Sequence, residues 1–194
     1  MRKKLAAFLL CTIPLLIGCA ASQDTSSMTI KKDGVVKSYI VEEFTAPYYD
    51  EYELQQSAEA DILAYNDETG EDAIELKKFK LEEGILRATV EYQTSKDYES
   101  FNEETLFVGL LSEAEKDGYD VEGTFYAADD LNQKLTYEEI QKEGDYHVVI
   151  FTEPVNVKVA DKVIYISDGL QKGNSAKEVS ITDDTKEIYY IIYE

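Results

Sequence analysis

Apolar and polar positions change their period several times between Met28 and Glu194. Met28 to Lys32 and Val35 to Phe44 read as two strands around Asp33-Gly34, a dipeptide that favours the positive-φ turn of a tight hairpin. Pro47 ends the second strand, because it lacks the donor a ladder needs. From Asp50 the period lengthens. Leu54, Ala58, Ile62 and Tyr65 recur at i, i+4, i+8 and i+11, which predicts one long amphipathic helix over 50–66 with its apolar stripe on a sheet. Asp50 caps it and Glu53 completes a capping-box pattern. Glu51 and Glu53 suit the positive end of the helix dipole, and the run from Asn66 to Gly70 stops the helix.

The alternation then returns to two. Ala73 to Leu81 and Ile85 to Thr94 read as a hairpin turning at Glu83-Gly84, with Ile74, Leu76, Leu86, Ala88, Val90 and Tyr92 on one face and polar residues on the other. That is the mark of a half-buried antiparallel sheet. Residues 97–102 form a polar loop or helical turn, 106–111 are apolar, and a short helix near 110–117 ends at Gly118. Tyr119 to Leu135 shows no regular period. Thr136-Tyr137-Glu138-Glu139 fits a capping box for a short helix over 136–142, stopped by Gly144. Strands follow at 146–152, 155–159, 163–167, 178–181 and 188–193, with a turn at Ala160-Asp161 between two of them. The last strand is apolar or aromatic on both faces, so it belongs in the middle of a sheet. The fold class is α+β: antiparallel sheet or sheets, one long helix packed on one face, and two short helices.

Upstream of this pattern lies a different one. Met1-Arg2-Lys3-Lys4 is basic, and Leu5 to Ile17 is apolar apart from Thr12 and Pro14. The run is too short to span a bilayer, which takes roughly 20 apolar residues, and suits the hydrophobic part of a signal peptide. It ends Leu16-Ile17-Gly18-Cys19, which resembles the lipobox of bacterial lipoproteins. The resemblance implies cleavage before Cys19, a diacylglycerol on its sulfur, often an acyl group on the new amine, and residence on the outer face of the cytoplasmic membrane. Cys11 follows the bulky Leu10 and does not fit. The stretches Ile40-Val41-Glu42-Glu43-Phe44, Asp97-Tyr98 with Phe101-Asn102-Glu103, and Val163-Ile164-Tyr165-Ile166-Ser167 resemble small uncharacterised lipoproteins of anaerobic clostridia, which implies no particular activity. The expected organisation is a signal peptide over 1–18, a lipidated cysteine and flexible tether over 19–27, and one globular domain over 28–194. A tether of about eight residues reaches roughly 15 Å, which holds the domain near the bilayer.

Charge narrows the partners. The chain carries a formal charge of −21, and losing Arg2, Lys3 and Lys4 with the leader takes it to −24. Nucleic acids and anionic lipid surfaces are bound through Lys and Arg that neutralise phosphate, so neither is an expected partner. The lipid anchor makes the membrane one, and a protein or carbohydrate ligand is the other. Removing the leader and acylating Cys19 consumes both cysteines, which leaves neither a disulfide nor a thiolate nucleophile.

Candidate chemistry is sparse. His147, the only histidine, sits in a strand pattern, and no Gly-x-Ser-x-Gly elbow or phosphate-binding loop occurs. Glu42/Glu43 and Glu82/Glu83 are strand neighbours that point to opposite faces, which makes them poor glycosidase dyads. Residues 130–141 begin like a calcium loop, but Lys134, Leu135 and Gln141 break the pattern. Asp67, Glu68, Glu71 and Asp72 gather oxygens in one turn, a weak calcium candidate. No other metal or cofactor is expected. Fifteen tyrosines and no tryptophan mark a slant towards a residue that suits binding surfaces, and Tyr48, Tyr49, Tyr52, Tyr98 and Phe101 are the candidate binding patch. No residue is assigned as catalytic. The expected role is a membrane-anchored binding or interaction module. The alternatives are an acidic-site hydrolase of cell-wall or dietary glycans and a weakly calcium-binding module.

Overall fold

The computed structural model describes residues 25–44, 46 and 49–194. The leader, Cys19 and Tyr48 lie outside the described residues. Among the described residues, four helices and two sheets make up the fold. The strands are β1 (Ser27–Ile30), β2 (Val36–Glu43), β3 (Ile74–Glu82), β4 (Ile85–Tyr92), β5 (Leu106–Leu110), β6 (Phe125–Ala127), β7 (Asp130–Leu135), β8 (His147–Phe151), β9 (Asn156–Lys158), β10 (Val163–Ser167), β11 (Leu170–Lys172), β12 (Glu178–Ile181) and β13 (Tyr189–Tyr193). The helices are α1 (Glu51–Thr69), α2 (Ser95–Asn102), α3 (Leu111–Ala114) and α4 (Tyr137–Glu143). One sheet runs β11-β12-β9-β1-β2-β4-β3 and the other β5-β8-β13-β10-β6-β7. The pairing is antiparallel throughout except between β1 and β9, which run parallel.

Two apolar layers follow from this order. Met28, Ile30, Val36, Val90 and Tyr92 of the first sheet meet Val149, Phe151, Tyr189, Ile191 and Tyr193 of the second in one buried cluster. The outer face of the second sheet carries another, built from Val148, Ile150, Tyr190 and Ile192 under Leu111, Ala114, Tyr137 and Ile140 of the short helices. β13 lies between β8 and β10 and is buried at every residue. Its two-sided apolar pattern serves both clusters, with odd positions facing one and even positions the other.

The expected antiparallel pairing forms two sheets, and the expectation of a single long helix packed on a sheet face is corrected in two ways. A further helix, α2, begins where Thr94 and Asp97 cap each other, the Asp97 amide donating to Thr94 Oγ1 at 3.1 Å and the Thr94 amide to Asp97 Oδ2 at 3.0 Å. And α1 sits against the outermost strand β3, with Ile62 its only fully buried residue. Asp50 does cap α1, accepting from the Glu53 amide at 3.1 Å. The helix runs past Asn66 to Thr69, where Gly70 closes it in the left-handed conformation at φ 74°. The Thr136–Glu139 box is present at the start of α4.

Other corrections have equally local causes. Residues 125–135, which show no regular period, form the β6–β7 hairpin, whose second strand is exposed at every position but Leu135. Ala160-Asp161 joins strands of different sheets, β9 and β10, so it is a crossing and not a hairpin turn. The Asp33-Gly34 turn is a five-residue connection between Ile30 and Val36, with Gly34 at φ 86°. The β3–β4 turn is tight as expected, with both Glu83 (φ 54°) and Gly84 (φ 76°) left-handed.

Candidate functional site

The candidate aromatic patch separates into two groups. Tyr49 packs edge-on against Phe44 at 4.9 Å between ring centres, just before α1. Tyr52 is 68 % exposed on the first turn, and its hydroxyl accepts from the Gln56 amide at 2.9 Å. Tyr98 is buried in the core and Phe101 is packed half-buried between Tyr65 and Tyr92. Of the four described, Tyr49 and Tyr52 lie together at the start of α1. Tyr98 and Phe101 face inward because α2 lies over the inner side of β4 and beside β5.

The acidic turn is exposed throughout. Asp67 and Glu68 end α1, and Glu71 and Asp72 follow Gly70. Among the described residues, no group of three or more His, Cys, Asp or Glu side chains is arranged to hold a metal ion. His147 is the exposed first residue of β8, and its ring stacks on Tyr193 at 5.3 Å. Asp130 and Asn132 lie in β7, where Asp130 Oδ1 accepts from the Asn132 amide.

A group of acids that the sequence reading passed over gathers beside the inner end of β2. Val36, Ser38, Ile40 and Glu42 occupy alternate positions, so the period that buries Val36 also turns Glu42 inward while Glu43 stays exposed. Glu42 faces Glu153 of the β8–β9 connection. Burial first, and the Glu153 charge second, push the Glu42 carboxyl above the usual carboxylate range. Burial also pushes Glu153 up, with Glu104 adding to the effect, while the hydrogen bond from the Tyr98 hydroxyl partly offsets it. The same burial raises the Tyr98 phenol, which therefore stays a donor. Glu104 accepts from Thr152 Oγ1 at 2.7 Å. The Glu42 and Glu153 carboxyls hold protons at a pH where exposed ones have lost them. The signal was present in the strand period, because a Glu in register with Val36 turns towards the inner face and is half-buried there.

Among the hollows on the surface of the described residues are two shallow ones. One, of about 370 Å³, is lined by Leu111, Ser112, Gln141, Gly144 and Asp145, and Asp145 there already accepts from the Ser112 hydroxyl at 2.8 Å. The other, of about 430 Å³, lies between α1 and the β3 edge. Glu59, Ile62, Leu63 and Asn66 line its helical side at i, i+3, i+4 and i+7, and Asp72, Ile74, Glu75 and Leu76 line the other. Leu63 is 61 % exposed. Asn66 fixes the groove. Its Nδ2 donates to the Ile74 carbonyl at 2.9 Å and its Oδ1 accepts from the Ile74 amide at 3.0 Å. The side chain thus stands where a neighbouring strand would pair, and it closes the edge at this one residue. Neither hollow reaches Glu42 or Glu153.

The groove has a definite position relative to the chain entry. Ser26 continues the β1 ladder through its side chain, Oγ accepting from the Val41 amide at 3.0 Å. Ser26 therefore lies at the end of the first sheet that also holds Glu43, the Glu83-Gly84 turn and Phe44, whose amide donates to Gly84 O at 2.7 Å. α1 starts at this end and runs beside β3 to the other, where Asn66 meets Ile74. Sixteen helical steps cover about 24 Å at 1.5 Å each, close to the roughly 27 Å of eight strand steps. The groove occupies the half of α1 remote from the chain entry. Among the described residues no helix is long and apolar enough to cross a membrane. Comparison with protein-family models, with curated proteins and with solved structures finds no match to this chain.

Proposed function

We propose that the chain is a lipoprotein anchored through Cys19 to the outer face of the cytoplasmic membrane, and that it works as an interaction module. The leader ending Leu16-Ile17-Gly18-Cys19 supports the anchor. The observation that carries the interaction reading is the α1–β3 groove, which has an apolar floor, a largely exposed Leu63 and a position on the half of the domain away from Ser26. An anchor at Cys19 holds the Ser26 end close to the bilayer and leaves that groove facing outward. Tyr49 and Tyr52 lie at the bilayer end, where tyrosine suits the interface between lipid and water.

Two measurements test the reading separately. Cells expressing the full chain are fed a palmitate analogue. The chain is expected to take up label and sediment with membranes, and the Cys19→Ser variant to lose both; label retained by the variant overturns the anchor. A photo-crosslinking residue is then placed at position 63 or at position 131, the exposed leucine on β7, in the full chain on intact cells. An adduct at 63 that is absent at 131 is the expected result, and equal or absent adducts overturn the interaction reading.

A second reading draws on the raised carboxyls of Glu42 and Glu153. A protonated acid beside an ionised one is the pair that an acidic-site glycan hydrolase uses. Turnover of cell-wall or dietary glycans that disappears in both Glu42→Gln and Glu153→Gln would establish it.

A further inference from the structure

We propose that the α1–β3 groove binds a cationic amphipathic segment of a partner protein, one that places apolar side chains on Leu63 and Leu76 and Lys or Arg side chains against Glu59 and Asp72. The inference rests on the interaction reading above and deepens it by giving the chemistry of the partner. Charge complementarity carries it. α1 contains Glu51, Glu53, Glu59, Asp61, Asp67 and Glu68 and neither Lys nor Arg. Its acids are not confined to the solvent side, since Glu59 lies in the same i, i+3, i+4, i+7 stripe that lines the groove.

Asp72 and Glu75 face Glu59 across the groove. Lys77, the nearest lysine on β3, turns to Glu75 and Glu91, so Glu75 is partly neutralised, while Glu59 accepts from the neutral amide of Gln55 at 2.8 Å. An apolar floor with carboxylates on both rims repels an acidic partner and attracts a basic one whose apolar residues recur at helical spacing.

The test uses the full-length chain in non-ionic detergent with a photo-crosslinking residue at position 63 or at position 131. The probe is a synthetic helical peptide of Lys and Leu, with leucines at i, i+3, i+4 and i+7, beside a control in which every Lys is Glu. The Lys–Leu peptide is expected to crosslink saturably at 63 and only at background at 131, and the Glu–Leu peptide not to compete. Glu59→Lys with Asp72→Lys should lower the yield roughly tenfold or more, and added salt should lower it too. Asp184→Lys with Glu187→Lys makes the same change in net charge next to β13, away from the β3 edge, and should leave the yield unchanged.

Equal yields at 63 and 131, competition by the Glu–Leu peptide, or equal losses from the two pairs of reversals would overturn the proposal, because each reduces it to diffuse attraction. A position-63 adduct on cells that survives Glu59→Lys with Asp72→Lys would sink the cationic partner and leave the interaction module standing. Loss of every position-63 adduct on cells sinks the module itself.

Discussion

Replacing Asn66 tests whether the helix is held to the sheet edge by one side chain. Asn66 makes two hydrogen bonds to the backbone of Ile74, at 2.9 and 3.0 Å, and Ile74 is 2 % exposed. The two bonds also fix the amide orientation, since only one assignment lets oxygen face an N–H and nitrogen a carbonyl. A hydrogen bond of this kind contributes about 0.5–1.5 kcal/mol net, so Asn66→Ala removes about 2 kcal/mol. Alanine returns roughly 0.6 kcal/mol through its better helix propensity. The groove beside Asn66 is open, so water can reach part of what is exposed, and the expected loss is about 1–2 kcal/mol. Urea denaturation measures it, and hydrogen exchange at the Ile74 amide locates it.

Asn66→Asp sharpens the test. Its carboxylate still accepts from the Ile74 amide but sets an oxygen against the Ile74 carbonyl. The protonated acid can donate there, so the folded state should hold that proton more tightly than the unfolded chain does. Stability should then be recovered as pH falls through the carboxylate range, unlike in the alanine variant. An Asn66→Ala variant within about 0.5 kcal/mol of the parent, with an unchanged Ile74 amide, would refute the argument, because that is the scatter of an ordinary surface change.

Three further outcomes follow from particular residues. Ile191 is fully buried in β13, so Ile191→Ala should cost about 2–5 kcal/mol in denaturation, and deleting residues 187–194 should abolish the cooperative melt; a normal melting transition after deletion would contradict the central placement of β13. Glu83 stands at φ 54° in a two-residue turn, where Asn is favoured, so Glu83→Asn should stabilise by roughly 0.5–1 kcal/mol, and a loss of stability would count against that turn geometry. The folded state holds the protons of Glu42 and Glu153 more tightly than the unfolded chain does. Their contribution to stability is therefore full below the unfolded carboxylate range and is lost as pH rises through the raised folded values. Glu153→Gln keeps an acceptor for Tyr98 without the charge, so at neutral pH and above it should match or exceed the parent in urea, with a flatter pH dependence between neutral and acid; a clear loss of stability at neutral pH would show that the charge is held by a partner.

The hairpin of β3 and β4 and the strand β13 were legible in the sequence because each has one simple relation to the core. β4 alternates, since one face meets the core and the other carries Arg87 and Glu91, and β13 does not alternate, since both faces are buried. The β6–β7 hairpin was not legible because Asp130 to Lys134 are all exposed, so no apolar period exists to read. Residues 97–102 fit a loop as well as a helical turn for a related reason. Eight residues give barely two turns, and the feature that starts α2 is the Thr94–Asp97 box, which precedes the aromatics that drew attention. Division into two sheets was beyond reach from spacing, because Ala160-Asp161 looks the same whether the chain turns back or crosses over.

The candidate site shows the same limit from the other side. Tyr98 and Phe101 were grouped with Tyr49 and Tyr52 by residue type, yet type says what a side chain can do and not which way it faces. Facing was readable in β2, where Glu42 shares the register of Val36 and Ser38. A pair rule that asked only whether Glu42 and Glu43 share a face discarded both, although the partner of Glu42 is Glu153, more than a hundred residues away in the chain. The groove needed still more. Glu59, Ile62, Leu63 and Asn66 form a stripe beside the apolar one at Leu54, Ala58, Ile62 and Tyr65, and the two share Ile62. A helix lying across the middle of a sheet face has use for the second stripe alone. A helix at the sheet's last strand has its other flank open, and only the strand order puts α1 there. The acids in that flank therefore read as ordinary solvated charges until the edge position of β3 is known, and after it they border an apolar floor.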